Sequence, residues 1–429
     1  MNGVTSLSTT SSGRMGLLTI VYYLTTSFFA VILGIIVTLV IHPGDPNALP
    51  NESKFRIIKE VKGDTSDALI DMLRNVFPSN IVKAAFTQTR TKFSEETEVM
   101  RLKNKTLFEE IQTNTSILVE RFNLSVSTKQ SDWPVYYDVV KKTLVQTGIE
   151  DDDGTNVLGL IFFAIGMGLC ILKMGERGQP LLEIISICND VIMKFIMYMM
   201  WYTPVGIFFL IVQNVIKLED LKTTAETMGM FIFTVILALS IHFFLILTPI
   251  YFVFVRKNPL VFLRNLLPAI MTAFGTASSS ATLPMTFHCL EEKNNIDKRV
   301  TRFVLPIGAT VNMDGTALYE GLCALFIAQM NDYSLDIGQI LTIIIISIVA
   351  SVGAATIPSA GLVTMVLVFE SVGLPVEQIA MIYTVDWFLD RFRTAVNITG
   401  DSIGAAIVDK LCLKNVCSSK ENDIISSNI

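Results

Sequence analysis

The chain has 429 residues, of which 51% are hydrophobic and 17% charged. Its mean hydropathy of +0.54 is too high for a soluble domain and belongs to a polytopic membrane protein. A net charge of −6 gives nucleic acid no footing.

The six cysteines avoid residues 42–155, so core packing is expected of them and not an extracellular disulfide framework. His42, His242 and His288 lack metal-ligand spacing. Residues 1–16 are polar and form no signal peptide; they read as a short cytoplasmic N-terminus. Residues 17–41 carry no charge and are long enough to span a bilayer with some tilt. Inside them lies a run of hydroxyls, Tyr22-Tyr23-Leu24-Thr25-Thr26-Ser27.

Residues 42–155 are polar, with sequons at Asn51, Asn104, Asn114 and Asn123. Each match is weak alone, but four after one span read as an extracellular glycosylated loop. Asp151-Asp152-Asp153 closes it as a solvated edge. A fifth match, at Asn397, falls in the last span and is a false positive. Spans follow at Val157–Leu172, Leu181–Ile216 and Met228–Val255. With the loop outside, Lys173/Arg177, Arg256/Lys257 and Lys298/Arg299/Arg302 all come out cytoplasmic, as the positive-inside rule requires.

Two later apolar segments are broken by small polar residues: Met271–Pro284 around Gly275–Ser280, and Ile340–Val368 around Gly353–Gly361. Each predicts a re-entrant helical hairpin, whose exposed backbone needs protein or a wet cavity around it. Each is followed by a helix with a polar interruption, first at Asn312-Met313-Asp314-Gly315-Thr316, then at Asp386–Asp401. Hairpin–helix repeated twice, if inverted, points to a midplane site of a secondary transporter.

At roughly 100° per residue, Asp386, Asp390, Arg393, Thr394, Asn397 and Asp401 share one helix face. Ionisable groups at membrane depth mark a functional site. Oxygen donors at Asn312, Asp314, Asn397 and Asp401 suit hard cations, Arg393 offers a fork for a carboxylate, and Asp390 suits an amino group. Together they describe an anionic amino acid bound beside small cations. No GxGD motif accompanies Asp314 and Asp390, so an intramembrane aspartyl hydrolase, or any enzyme, is not expected.

The motifs SSSATLP (278–284), NMDGTALYE (312–320), IPSAGLVTM (357–365) and DWFLDRFRT (386–394) resemble those of the glutamate transporter family, the dicarboxylate/amino acid:cation symporters, and in particular its animal excitatory amino acid transporters. The likeness runs from about Ser12 to Leu411. It implies an all-α polytopic elevator fold with two re-entrant hairpins and inverted repeats. Residues 17–41 and 228–411 would form a transport domain. Residues 156–216 would be scaffold spans, with part of a scaffold helix in the 42–155 loop, and 412–429 a cytoplasmic tail.

The resemblance implies sodium-coupled uptake of glutamate or aspartate across the plasma membrane by a homotrimer. Substrate contacts would fall to Ser279, Thr316, Gly361, Asp390, Arg393, Thr394 and Asn397. One sodium site would use Gly308, Asn312, Asn397 and Asp401. A second would use Tyr23, Thr26, Ser27, Asn312 and Asp314, and a third Thr310, Ser351, Val352 and Ala354. Glu320 would serve proton co-transport and potassium counter-transport, with chloride as an uncoupled permeant. Arg391 lies about 160° from Arg393 around the helix and is not given the substrate. Thr356 stands where many members have Gly or Ser, and its methyl would bear on closure of the second hairpin. Members of the family begin with two further transmembrane helices; a chain without them would have the alternative role of an anion channel or a partner of full-length subunits. Ser427-Asn428-Ile429 fits a weak pattern for a PDZ-type partner.

Overall fold

The computed structural model describes residues 12–48, 70, 74–102, 124–126, 137–153, 156–200, 202, 205, 206, 208, 209, 212, 221–354 and 356–426. The loop asparagines Asn51, Asn104, Asn114 and Asn123, Trp201 and the C-terminal Ser427-Asn428-Ile429 lie outside them. The chain forms two compact units, Lys62–Asn156 and the remainder.

The smaller unit, read from the sequence as a polar loop, carries regular structure. A one-turn helix, Ile81–Ala84, is capped by Asn80, whose side chain accepts from the Val82 and Lys83 amides. Strands β1 (Thr87–Leu102), β2 (Leu124–Val126) and β3 (Tyr137–Asp153) follow. They form an antiparallel sheet in the order β1–β3–β2. Alternating threonines at 87, 89 and 91 suit a half-covered pleated surface, and the register places Arg90 opposite Glu150. Asn75 fastens the ribbon by donating to the Thr89 carbonyl at 2.8 Å and accepting its amide at 3.0 Å. The acidic run ends β3, where Asp151 pairs with Lys83 while both side chains stay exposed.

The larger unit is helical, as expected. Helix α1 (Ser12–Ile41) buries Tyr23, Ala30, Val31 and Ile35 and exposes Val21, Leu24, Phe28 and Val40. An apolar helix with one buried and one open side suits contact with protein and lipid. Helices α2 (Val157–Met174) and α3 (Gln179–Met200) are joined by a tight turn. Cys170 and Cys188 on these helices are exposed. The core-packing expectation therefore holds for Cys289 and Cys323 and not for these two. Helix α4 (Leu221–Ile241) continues through a π-helical turn, His242–Leu247, into α5 (Thr248–Val255). Among the described residues, α1, the α4–α5 rod and the next helix are long and apolar enough to cross a membrane.

Both expected hairpins are present, with longer arms than the polar breaks marked. The first joins α6 (Pro259–Thr276) to α7 (Ser279–His288). The second joins α10 (Ile337–Gly353) to α11 (Gly361–Ser371). Each tip turns on a non-glycine residue in the left-handed region, Ala277 at φ 49° and Ser359 at φ 59°. Between the hairpins, α8 (Lys298–Val311) breaks at Asn312-Met313 before α9 (Asp314–Met330). Asp297 caps α8 by accepting from the Arg299 amide at 2.8 Å and its guanidinium. Those bonds hold the Asp297 carboxyl below its usual range. The last helix, α12 (Ile379–Ser426), differs from expectation: its polar face does not interrupt it. Helix α9 is buried on almost every side, packed against α1, α10 and α12, and so forms the centre on which the site is built.

Candidate functional site

Arg393 on α12 is only 1% exposed. Its Nη2 donates to Asp390 Oδ1 at 2.8 Å and lies 3.0 Å from Asp386 Oδ1. The guanidinium carbon sits 4.1 Å from the centre of the Tyr319 ring, a cation–π geometry that helps hold a buried charge. Nε and Nη1 have no hydrogen-bond partner among the described residues. Nη1 faces the second hairpin, since a Cβ added to Gly361 would stand 3.0 Å from it. Asp390 also accepts the Ser359 amide at 2.7 Å, which ties that hairpin tip to α12. Thr394 turns its hydroxyl to the Asp390 carbonyl at 2.8 Å.

A cleft of about 290 Å³, counting its open mouth, lies beside this cluster. Ser279, Thr316, Gly361, Asp390, Thr394 and Asn397 all line it, so six of the seven expected substrate contacts meet there, with Arg393 directly behind Gly361. Asn397 accepts the Gly315 amide at 2.7 Å and donates to Thr316 at 3.3 Å.

One turn further along α12, Asp401 accepts from Asn312 Nδ2 at 3.0 Å. A Cβ on Gly308 would lie 2.6 Å from Asp401 Oδ1 and 2.5 Å from the Tyr23 hydroxyl; only glycine lets these groups come together. Tyr23 itself donates to the Val304 carbonyl at 3.0 Å. Asp314 accepts from Ser27 at 2.7 Å and Thr26 at 3.1 Å. Thr26 also lies 3.4 Å from Asn312 Oδ1, so two expected ion sets share one network. Thr310, Ser351, Val352 and Ala354 end α8 and α10, which pack together. The Thr310 and Ser351 hydroxyls turn back onto their own helices, leaving main-chain carbonyls at the negative helix poles. Glu320 is wholly buried. It accepts from Thr364 of α11, while its second oxygen has no partner among the described residues.

Three features escaped the sequence. Asp386, read only as a member of the stripe, is the second counter-ion of Arg393. His242, read as isolated, is buried with Nε2 3.4 Å from Asp314 Oδ2; 72 residues separate the two in the chain, and no local pattern joins them. Arg391 turns away from the substrate cluster, as expected, but donates to the Phe274 and Gly275 carbonyls at 3.0 and 2.9 Å.

Two helical hairpins whose tips cover a polar cleft, set in a bundle of apolar helices, define a membrane transport fold. The chain belongs to the Sodium:dicarboxylate symporter family, whose profile matches residues 1–411. It is 44% identical over 420 residues to excitatory amino acid transporter 5 of Mus musculus, covering 97% of this chain and 73% of that protein. It is 44% identical over 431 residues to excitatory amino acid transporter 2 of Homo sapiens, covering 100% and 71%. A Caenorhabditis elegans excitatory amino acid transporter is 44% identical over 408 residues, covering 95% and 76%. The chain is thus a multi-pass membrane transporter and not an enzyme.

Proposed function

We propose that the chain couples sodium entry to uptake of glutamate or aspartate at the plasma membrane. The observation that carries this reading is Arg393, buried beside the cleft with its Nε and Nη1 donors unused among the described residues. A guanidinium binds a carboxylate through charge-assisted hydrogen bonds, and buried donors without partners are costly unless a ligand completes them. The names of the relatives support an acidic amino acid as that ligand. Arg393 takes its side-chain carboxylate, aided by Thr316. Asp390 and Thr394 take the ammonium, and Asn397 the α-carboxylate, with Ser279 and Gly361 closing from the two hairpins.

Charge supports the coupling. Among the described residues, five carboxylates are buried, Asp314, Glu320, Asp386, Asp390 and Asp401, against one guanidinium, Arg393, and one imidazole, His242. An anionic substrate adds to that excess, so its passage through a low-dielectric interior requires cations. Sodium binds to Asp401, Asn312, Asn397 and the Gly308 carbonyl; to Asp314, Thr26, Ser27, Tyr23 and Asn312; and to the carbonyl ends of α8 and α10 at Thr310, Ser351, Val352 and Ala354. Glu320, with a single donor, exchanges a proton against potassium. Chloride passes uncoupled. The hairpins, α1, α4–α5, α8–α9 and α12 travel as a transport domain against a trimeric scaffold that includes α2 and α3. Asn51, Asn104, Asn114 and Asn123 carry glycans outside, and the last residues meet a PDZ-type partner inside.

The test is uptake of labelled glutamate and aspartate into proteoliposomes under an imposed sodium gradient. Wild type accumulates both, and Arg393→Cys trades acidic for neutral amino acids. Absence of sodium-driven uptake, or acidic selectivity surviving in Arg393→Cys, would overturn the proposal.

A further inference from the structure

Beside the cleft the two hairpin tips meet in a contact that belongs to neither the substrate nor the ion cluster. Ser278 and Ser280, at the tip of the first hairpin, both donate to Thr356 at the tip of the second. Ser278 Oγ reaches the Thr356 carbonyl at 2.6 Å, and Ser280 Oγ reaches Thr356 Oγ1 at 2.5 Å. Thr356 and Ser279 also line the cleft, so this contact sits at its rim.

The two bonds differ in what they ask of the sequence. The carbonyl is available whatever residue occupies position 356, whereas the hydroxyl requires Ser or Thr. Ser278 performs two tasks with one hydroxyl, since it caps α7 by accepting from the Ala281 amide at 3.3 Å. Its orientation is thereby fixed by the first hairpin alone, before the second arrives. Thr356 is β-branched, with a restricted χ1, so it gives up little rotamer freedom when its hydroxyl is engaged. On its other side the second tip is held by α12 through the Ser359 amide and Asp390 at 2.7 Å. The tip is therefore held by three bonds, one of which depends on the side chain at 356.

We propose that the Thr356 hydroxyl is the acceptor of a latch that docks the second hairpin on the first, and that this latch sets how readily the cleft closes over its ligand. Thr356 is a positioning residue: it acts through the posture of the hairpin and not on the ligand. The proposal rests on the transporter reading above for its effect on uptake, but the latch itself concerns the protein alone.

Two measurements test it on the full chain. In proteoliposomes, Thr356→Val and Ser280→Ala each raise the half-saturating concentration of the acidic amino acid about two- to tenfold, the range of one net hydrogen bond. The double variant is no worse than the poorer single one, because both remove the same bond. Thr356→Ser restores most of the wild-type value. Independently, spin labels at the exposed positions Met271 and Val363 report the separation of the hairpins without any transport. Wild type gives a narrow distribution, and Thr356→Val a broader or longer one. Should Thr356→Val not fold, Ser280→Ala breaks the same bond from the exposed side. Multiplying effects in the double variant, or an unchanged separation in both single variants, would overturn the latch. Loss of uptake by wild type itself would instead strike the transporter reading and leave the distances to decide the latch.

Discussion

Replacing Gly308 by Ala puts a methyl group where the proposed sodium network is tightest. The added carbon would lie 2.5 Å from the Tyr23 hydroxyl and 2.6 Å from Asp401 Oδ1, against 3.4 Å for the nearest ordinary contact. Both groups must retreat, by about 0.8–0.9 Å, and overpacking of this kind costs about 1–3 kcal/mol. As Asp401 moves, its 3.0 Å bond from Asn312 stretches beyond good hydrogen-bond geometry. As Tyr23 moves, it withdraws from Val304 and from the ion. A cost of about 1–3 kcal/mol borne by the ion-bound form weakens sodium affinity about 5- to 150-fold. The assay is a sodium titration of glutamate uptake in proteoliposomes, paired with thermal melts with and without sodium. The half-saturating sodium concentration should rise at least about fivefold, and the sodium-induced gain in melting temperature should shrink. Gly229→Ala, where nothing lies within 4 Å of the added carbon, is the control. A wild-type sodium titration in Gly308→Ala would refute the assignment of these atoms to an ion.

Three more expectations come from the same packing. Gly34→Ala drives a methyl to 2.7 Å from the Leu318 carbonyl oxygen, so α1 must lift from α9; melts of the purified protein should show a loss of about 1–3 kcal/mol. Glu320→Gln keeps the shape of the buried group and removes its exchangeable proton; uptake should lose its dependence on internal potassium while substrate exchange persists, and retained potassium dependence would remove Glu320 from the coupling. Asp297 has a carboxyl held low by Arg299, so its stabilising contribution is full above its unfolded pKa of about 3.9 and is lost as pH falls through the lower folded value. Asp297→Asn should therefore be less stable than wild type at neutral pH, with the gap closing in melts below about pH 4.

The hairpins and the α8–α9 break were legible because Gly, Ser, Pro and Asn interrupt apolar runs that would otherwise span. The stripe on α12 was legible because its period is helical. Its continuity was harder to foresee: Gly400 and Gly404 suggest weakness, yet each faces a filled space, against Asn312 and the Tyr22 ring respectively. The β-ribbon went unread because charged residues interrupt the alternation of its long strands. His242 beside Asp314, Asp386 beside Arg393, and the contact of the two tips all depend on tertiary neighbours, which a single chain's periodicity does not encode.

Neighbouring residues of α12 grip different hairpins. Asp390 draws in the Ser359 amide of the second, while Arg391 holds the Phe274 and Gly275 carbonyls of the first. Consecutive side chains on a helix diverge by about 100°, so one short stretch of α12 acts as a fulcrum with an arm on either side. Whatever turns α12 there acts on both hairpin tips at once, through side chains on either side of one peptide unit.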